Sequence, residues 1–179
     1  MTNILAGDHA EVDALFRDLS REFDGGGARV IFEKLDYLWA RLAVHIRAEH
    51  LHLFPALLTV AGAVGEGNEG VPAPEEVRGA VERLREDHDF FMRELAAAVN
   101  AARELASHEA TTAREPLRRI KDRVMAVAER LAEHNIVEER KVYLWPELLL
   151  GEAALAHLGR EMKREIENLP PRFSERPPR

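Results

Sequence analysis

Two short stretches of the chain repeat the same arrangement of residues that can bind a metal. One reads Leu-Ala-Val-His-Ile-Arg-Ala-Glu over residues 42–49, and the other reads Leu-Ala-Glu-His-Asn-Ile-Val-Glu over residues 131–138. In both, a histidine precedes a glutamate by four positions, so on a helix the two side chains lie on one face, one turn apart. Imidazole combined with carboxylate suits iron or manganese, with zinc a possible occupant in vitro. A carboxylate can also bridge two ions, so the repeat indicates a paired metal site.

An Asp-His pair opens the helical run before each stretch, at Asp8-His9 and at Asp87-His88. A unit of the form His…His-x-x-x-Glu therefore occurs twice. The doubled unit supplies four imidazoles and two carboxylates, which is what a two-metal site inside a helix bundle requires. The six candidate metal ligands are His9, His45, Glu49, His88, His134 and Glu138.

Composition narrows the class of protein. The chain has 179 residues, enough for one domain with its own core, and its apolar share of 46% and charged share of 32% are typical of a helical globular protein. A formal charge of -7 argues against nucleic-acid and anionic-membrane partners, which need a basic surface. The absence of cysteine excludes disulfides, thiolate nucleophiles and iron–sulfur clusters. With no membrane-spanning apolar run and no signal pattern at the N-terminus, we expect a cytoplasmic protein, either a monomer or a homodimer.

Glycines and prolines divide the chain into predicted helices. A run of three glycines ends the first, Pro55 should end or kink the second, and a glycine-rich loop over residues 62–74 precedes the third. The helices are predicted over residues 3–24, 28–54, 75–107 and 116–144, with a short fifth over 152–169. These lengths predict an all-α, up-down-up-down four-helix bundle over residues 1–150, a C-terminal helix over 151–169 and a disordered, proline-rich tail over 170–179.

The six candidate ligands fall on the apolar stripes of the four long helices, where residues recur at steps of three and four. A buried carboxylate without a partner costs several kcal/mol, on the order of the penalty for any unpaired buried charge. The stripes carry no lysine or arginine that would pair with these carboxylates. In an up-and-down bundle the six residues lie at similar distances from the turns, so they should meet at one level and hold metal.

Residues 4–146 resemble the hemerythrin-like family, the HHE cation-binding domains. The two His-x-x-x-Glu motifs, the histidine before each, and Leu53-Phe54-Pro55 after the second helix carry the resemblance. The resemblance implies a four-helix bundle that holds two non-haem iron ions with a bridging oxo or hydroxo group on the six candidate ligands. It also implies that the protein binds or reacts with dioxygen, hydrogen peroxide or nitric oxide, as a sensor or in detoxification with catalase-like or peroxidase activity.

Two departures from the family pattern bear on that function. Oxygen-carrying hemerythrins have a second histidine one turn after the third-helix ligand, and here Met92 occupies that position. They also end on His-x-x-x-x-Asp, where this chain has His134-x-x-x-Glu138. An additional vacant position on one metal favours sensing, peroxide or nitric oxide chemistry over reversible oxygen carriage.

Two other functions remain open from the sequence. One is a non-catalytic iron buffer, or a donor that helps to repair damaged iron centres, although such donors often carry a cysteine-containing domain that this chain lacks. The other is a structural bundle with adventitious zinc or no metal. Peroxide turnover would distinguish a reactive di-iron protein from an iron buffer or repair donor. Metal content would distinguish either of these from a structural bundle.

Several further side chains have open roles. His52 is in phase with the stripe of the second helix and is a candidate for a fifth ligand or a supporting donor, whereas the other three histidines are expected at the surface. Glu133 and Glu139 flank the second motif, where they are either solvated or bonded to a ligand imidazole. Tyr37 and Tyr143 can donate to bound oxygen or supply a phenolate as a further ligand, but helical phase places neither firmly inward. The three surface histidines are His50, His108 and His157.

Overall fold

The computed structural model of the chain describes residues 2–62, 70–107 and 114–174. Over this part the chain is helical and contains no strand, which confirms the predicted all-α class. The α-helices are α1 Thr2–Gly25, α2 Ala28–Ala48, α3 Phe54–Ala61, α4 Pro74–Ser107, α5 Arg114–Arg140, α6 Trp145–Leu149, α7 Glu152–Ile166 and α8 Pro171–Ser174. A π-helical turn, Glu49–Leu53, joins α2 to α3, and a 3-10 turn, Val142–Leu144, precedes α6.

The four long helices enclose the main core. α2 contacts α1 and α4, and α5 contacts α4 and α1, so the four form a closed ring of neighbours. Most residues of the apolar stripes line this interior, and Phe23 and Leu117, at the outer ends of α1 and α5, are half-buried against it. Leu5, Val81 and Leu84 lie instead in a second apolar cluster. The core includes Val12, Phe16, Leu19, Ile31, Leu35, Leu38, Leu42, Phe91, Leu95, Ile120, Val124, Val127 and Leu131. The stripes therefore bring the candidate ligands of all four helices toward a common interior.

The junction between α1 and α2 is tight. The Gly26 amide donates to the Glu22 carbonyl at 2.7 Å, and a Cβ placed on Gly26 would lie 2.8 Å from that same oxygen. Glycine is required there because any side chain would collide with the helix end. The short turn lets α1 and α2 pack side by side, which places His9 opposite His45.

Of the two alternatives predicted for Pro55, that it ends or that it kinks the second helix, the first is wrong. The chain stays helical to Ala61, because the π-helical turn widens just before the proline and the Phe54 amide bonds to the Glu49 carbonyl. Pro55 then lies in the first turn of α3, where its missing amide hydrogen costs nothing. The extra residue in the wide turn moves the buried stripe from the position of His52 to Leu53 and Phe54.

The fourth long helix ends earlier than predicted, at Arg140 instead of residue 144. Lys141 breaks it with φ −137° and ψ −69°, and the chain continues as a 3-10 turn into α6, whose first turn contains Pro146. In an uninterrupted helix Tyr143 would point about 140° away from Glu138, at about 100° per residue. The break turns Tyr143 into the interior, where it is fully buried.

The C-terminal part packs on the bundle. α7 buries Leu158, Met162 and Ile166 in a second apolar cluster that includes Phe54 and Tyr143. The tail was predicted to be disordered, and this is wrong for α8: Arg172 pairs with Asp36 at 3.1 Å and Phe173 packs edge-on against Tyr37. Apolar and ionic contacts to α2 fix this turn despite its prolines.

Some sequence predictions lie outside the described residues: the centre of the glycine-rich loop at residues 63–69, His108, and the last five residues of the tail. The division of the chain at residue 150 stays a prediction. None of the helices in the described part combines the length and the apolar character that crossing a bilayer requires.

Candidate metal centre

Four imidazoles from the four long helices converge at the middle of the bundle. The Nε2 atoms of His9 on α1 and His45 on α2 lie 3.2 Å apart, and those of His88 on α4 and His134 on α5 lie 3.0 Å apart. All four rings are buried. Every imidazole thus presents the same nitrogen to the interior, in two pairs.

Two fully buried carboxylates lie between the pairs. Glu138 has its Oε2 atom 3.3 Å from His9 Nε2 and its Oε1 atom 3.0 Å from His134 Nε2. The Oε2 atom of Glu49 lies 3.3 Å from His88 Nε2 and 3.7 Å from His45 Nε2. Each carboxylate therefore reaches one imidazole of each pair.

Two groups of side chains have the spacing of metal ligands. The first position consists of His9, His45 and Glu138, and the second position consists of His88, His134 and Glu138. Glu138 belongs to both, with one oxygen directed to each. Glu49 also contacts an imidazole of each position, and the structure brings all six predicted residues together there.

The outer nitrogen of each ring is held by another side chain. The four Nδ1 contacts are His9 with Glu139 at 2.8 Å, His45 with Asp8 at 2.7 Å, His88 with His50 at 2.9 Å, and His134 with Asp87 at 3.1 Å. A carboxylate that accepts from Nδ1–H fixes the tautomer whose Nε2 lone pair faces inward, the arrangement that metal-binding histidines need. The contacts repeat between halves of the chain, because each Asp of an Asp-His pair holds the histidine of the next long helix.

Each of those aspartates is itself paired with an arginine. The Arg41 guanidinium donates to Asp8, and the Arg130 Nε donates to Asp87 at 2.7 Å. Arg41 is buried, whereas the Arg130 side chain is 45% exposed. The orienting contacts therefore extend from the imidazoles to the outer surface of the bundle.

The hydroxyl group of Tyr143 lies among the candidate ligands. Its oxygen is 2.7 Å from Glu49 Oε1, 2.9 Å from Glu138 Oε2 and 3.1 Å from His9 Nε2. Burial and both carboxylates raise the pKa of Tyr143 well above its usual value, so the phenol keeps its proton. This one hydroxyl proton faces three acceptor atoms, on Glu49, Glu138 and His9. The acceptors that do not receive it need a positively charged partner.

Burial perturbs the whole cluster. It raises the pKa of Glu49 well above its usual range, with repulsion from Glu138 adding to the effect. Burial also lowers the pKa of His45 to about 3 and that of His88 well below its usual value. Chemically alike groups are thus driven toward different protonation states, which is typical of functional sites.

Charge pairs oppose burial at the remaining candidate ligands. Burial alone would raise the pKa of Glu138, but His134, His9 and His88 outweigh it and hold that pKa well below the usual range. Burial alone would lower the pKa of His9 and His134, but Glu138 and their outer carboxylates raise both. The imidazole pKa values within one cluster are therefore displaced in both directions, upward for His9 and His134 and downward for His45 and His88.

The residues fit a pair of metal ions. Among the described residues, buried Glu49 Oε2 and Glu138 Oε1 have no hydrogen-bond partner. Each lies 3.0–3.7 Å from imidazole nitrogens, but not in hydrogen-bond geometry. Orphaned carboxylate oxygens and inward imidazole lone pairs are both satisfied when a cation lies between them.

The other side chains considered from the sequence divide clearly. His157 and Glu133 are exposed, His52 is half-buried, and Met92 packs against the main core. His50 was expected at the surface, which is wrong, because it lies in the π-helical turn against His88. Tyr37 is buried, but beside Phe173 instead of the centre.

Sequence reasoning missed the orienting roles of Asp8, Asp87, Arg41 and Arg130. The doubled Asp-His pair was a signal for the two aspartates, since the same residue precedes a candidate ligand twice. No comparable signal marks the arginines, because neither lies on an apolar stripe. Tyr143 was a candidate from the sequence, but its inward position was missed because the break at Lys141 is not evident from the local sequence.

Comparison with protein families agrees with this geometry. The family model of the hemerythrin HHE cation-binding domain matches residues 1–146, which include all six candidate ligands. Comparison with curated proteins and with solved structures gave no significant match. The match covers most of the chain, and the buried His and Glu groups agree with a cation-binding domain. The chain therefore belongs to the hemerythrin HHE cation-binding domain family.

Proposed function

We propose that the chain holds two iron ions with a bridging oxo or hydroxo group, and that it binds or reacts with dioxygen, hydrogen peroxide or nitric oxide. The ligands would be His9, His45, Glu49, His88, His134 and Glu138. One observation carries the proposal: four Nε2 atoms face two shared, buried carboxylates, while every Nδ1 atom is held from outside. Mixed imidazole and carboxylate ligation favours iron or manganese among the metals of such sites.

We also propose that the four long helices run alternately up and down. The two-residue connection between α1 and α2 supports this order for the first pair, because helices so closely joined and packed together must be antiparallel. Opposed ligand pairs at one level of the bundle agree with the same arrangement for the rest.

The surroundings of the site support a small-molecule oxidant as the reactant. Both carboxylates are fully buried, and the nearby walls are apolar or aromatic, with Phe91 5.2 Å from the His134 ring and Phe54 stacked on His88 at 5.9 Å. Such walls exclude bulky reductants and bulk water. Met92 offers no imidazole where oxygen carriers have one, which leaves a coordination position for the oxidant. When bound, the iron pair would supply two electrons.

The protein's own groups would position the oxidant and move its protons. The Tyr143 hydroxyl group points to the space between the carboxylates and holds a proton that it can donate to a bound oxygen atom. Access is proposed through a cleft of about 440 Å³ that borders His134 and is lined by Asp87, Arg130 and Glu133. The polar lining suits peroxide or a similar small polar molecule.

The test begins with iron per chain and an optical spectrum of freshly purified protein, before and after hydrogen peroxide is added. Two irons with near-ultraviolet oxo-to-iron absorption, together with oxygen evolution, would support a detoxifying enzyme. Two irons without turnover would favour sensing, or the alternative of an iron buffer. Absence of iron, or a single zinc, would refute the di-iron proposal.

Matched variants locate the site. Glu49→Ala should lower bound iron and remove the absorption, because it deletes a carboxylate that reaches both positions. His157→Ala, at an exposed histidine, should leave both unchanged. Equal iron content in the two variants would show that the ligand assignment is wrong.

A further inference from the structure

The C-terminal segment, residues 152–174, follows the part of the chain that matches the family domain. It nevertheless packs close to the candidate metal centre. α7 contacts α2 and the π-helical turn that carries Glu49, and its Met162 lies in the apolar cluster that includes Tyr143. The segment therefore covers the side of the bundle that presents His45 and Glu49.

Arg41 connects this segment with a candidate ligand. Its Nη1 atom donates to the Ile166 carbonyl oxygen, at the end of α7, at 3.0 Å. Its Nη2 atom donates to Asp8 Oδ1, and Asp8 Oδ2 accepts from His45 Nδ1 at 2.7 Å. One planar guanidinium thus joins the last turn of α7 to the carboxylate that orients the His45 ring.

The second position lacks this connection. Its corresponding arginine, Arg130, holds Asp87 but packs over the Phe90 ring at 4.5 Å, on α4, and its side chain is 45% exposed. The Arg41 side chain is only 8% exposed. The two halves therefore share an Arg–Asp–His arrangement, but only the first one is closed by the C-terminal segment.

Contacts of the half-exposed Arg47 side chain hold the end of α7 against α2. Arg47 pairs with Glu165 and also donates to the Asn168 carbonyl oxygen at 3.3 Å. These contacts touch neither Arg41 nor a candidate ligand. They allow the attachment of α7 to be weakened without changing the centre itself.

We propose that the C-terminal segment strengthens metal binding at the first position, with Arg41 as the positioning residue that transmits its effect. The proposal rests on the metal-binding function proposed above. Partners that orient metal-binding histidines typically change metal affinity by about 10–100-fold. Displacement of α7 removes one of three acceptors of Arg41, which also donates to Glu11 Oε2 at 3.1 Å, and so loosens the hold of the guanidinium on Asp8 and on the His45 ring.

The first test is an anaerobic titration of the metal-free full-length chain with ferrous iron against a competing chelator. Arg41→Lys keeps the positive charge but cannot join Asp8 to Ile166, so one of two equivalents should bind about 10–100-fold more weakly. In a His134→Ala background, which weakens the second position, Arg41→Lys should reduce the affinity of the remaining iron. The matched change Arg130→Lys should leave that remaining iron unaffected.

The second test does not depend on altering a buried residue. Arg47→Ala, at a side chain that is 44% exposed, should also weaken one equivalent, by a smaller factor than Arg41→Lys. Because coupling between two sites is reciprocal, ferrous iron should slow amide hydrogen exchange in the last turn of α7 in the wild-type chain. In Arg41→Lys this protection of α7 should be lost.

The outcomes separate the two proposals. Two tightly bound irons in the wild-type chain, with unchanged affinities in Arg41→Lys and Arg47→Ala, would overturn the role of the C-terminal segment and leave the metal site intact. Equal weakening of both equivalents by Arg41→Lys would also overturn it. Failure of the wild-type chain to bind any iron would overturn both proposals.

Discussion

Replacement of Glu138 by glutamine should abolish metal-dependent stabilisation of the protein. Glu138 gives one oxygen to each metal position, so Glu138→Gln damages both, whereas His45→Gln damages only the first. Each bound ion adds about 2.7 kcal/mol to the free energy of unfolding when free metal is 100 times its dissociation constant. Two ions add about 5.4 kcal/mol, which for a chain of this size corresponds to roughly 10–20 °C in melting temperature.

The assay is thermal unfolding followed by circular dichroism, with and without ferrous iron under anaerobic conditions. The metal-dependent increase should be near zero in Glu138→Gln and about half the wild-type value in His45→Gln. Each variant is compared with its own metal-free form, which removes any direct effect of the substitution on the fold. Glu133→Gln, the same change at an exposed position of α5, should keep the full increase.

A Glu138→Gln variant that keeps more than half of the wild-type increase would refute the shared-carboxylate geometry. A His45→Gln variant that loses the entire increase would instead show that the two positions do not fill independently.

Three further predictions concern the proton, the pH and the core. Tyr143→Phe should lower the stability of the metal-free protein by about 1–3 kcal/mol in urea unfolding, because a buried carboxylate loses its hydrogen-bond donor. An unchanged stability would show that the hydroxyl group is not bonded as described. Metal affinity should rise as pH increases through neutrality, because His9 and His134 have raised pKa values and must release protons before they bind a metal. Isothermal titration in buffers of different ionisation enthalpy measures that proton release. A metal affinity that stays unchanged from about pH 6 to 8 would contradict this prediction. Phe91→Ala should lower the free energy of unfolding by about 3–5 kcal/mol in the same urea assay, since Phe91 is fully buried and also packs edge-on against His134. A decrease below about 1 kcal/mol would mean that the core closes around the gap.

The regular part of the fold was predictable because one signal determined it. Apolar residues at steps of three and four mark one face of each long helix, and that face is buried in the structure from Leu5 to Leu19 and from Ile120 to Glu138. The candidate ligands were predictable for the same reason. A polar residue on an apolar stripe needs a partner, and six such residues need one another.

The irregular parts were not predictable from local sequence. The π-helical turn after Glu49 and the break at Lys141 both alter helical phase, which a regular period extrapolated along the sequence does not register. These two changes of phase bring His50 against His88 and turn the Tyr143 hydroxyl group toward the candidate ligands. Arg41 was hidden for a different reason: its partner at Ile166 is a backbone carbonyl 125 residues away, which no side-chain pattern reveals.

The π-helical turn also determines where the chain can change length. Deleting His52 would make Phe54 the fourth residue after Glu49, so an ordinary helix would replace the wide turn and the residues after it would keep their phase. Phe54 and Leu57 would then stay in the second apolar cluster, whereas a deletion within α2 would rotate the residues after it by about 100°. We therefore expect relatives of this chain to tolerate the loss of one residue in the five-residue turn, whereas a loss within α2 would displace the buried stripe.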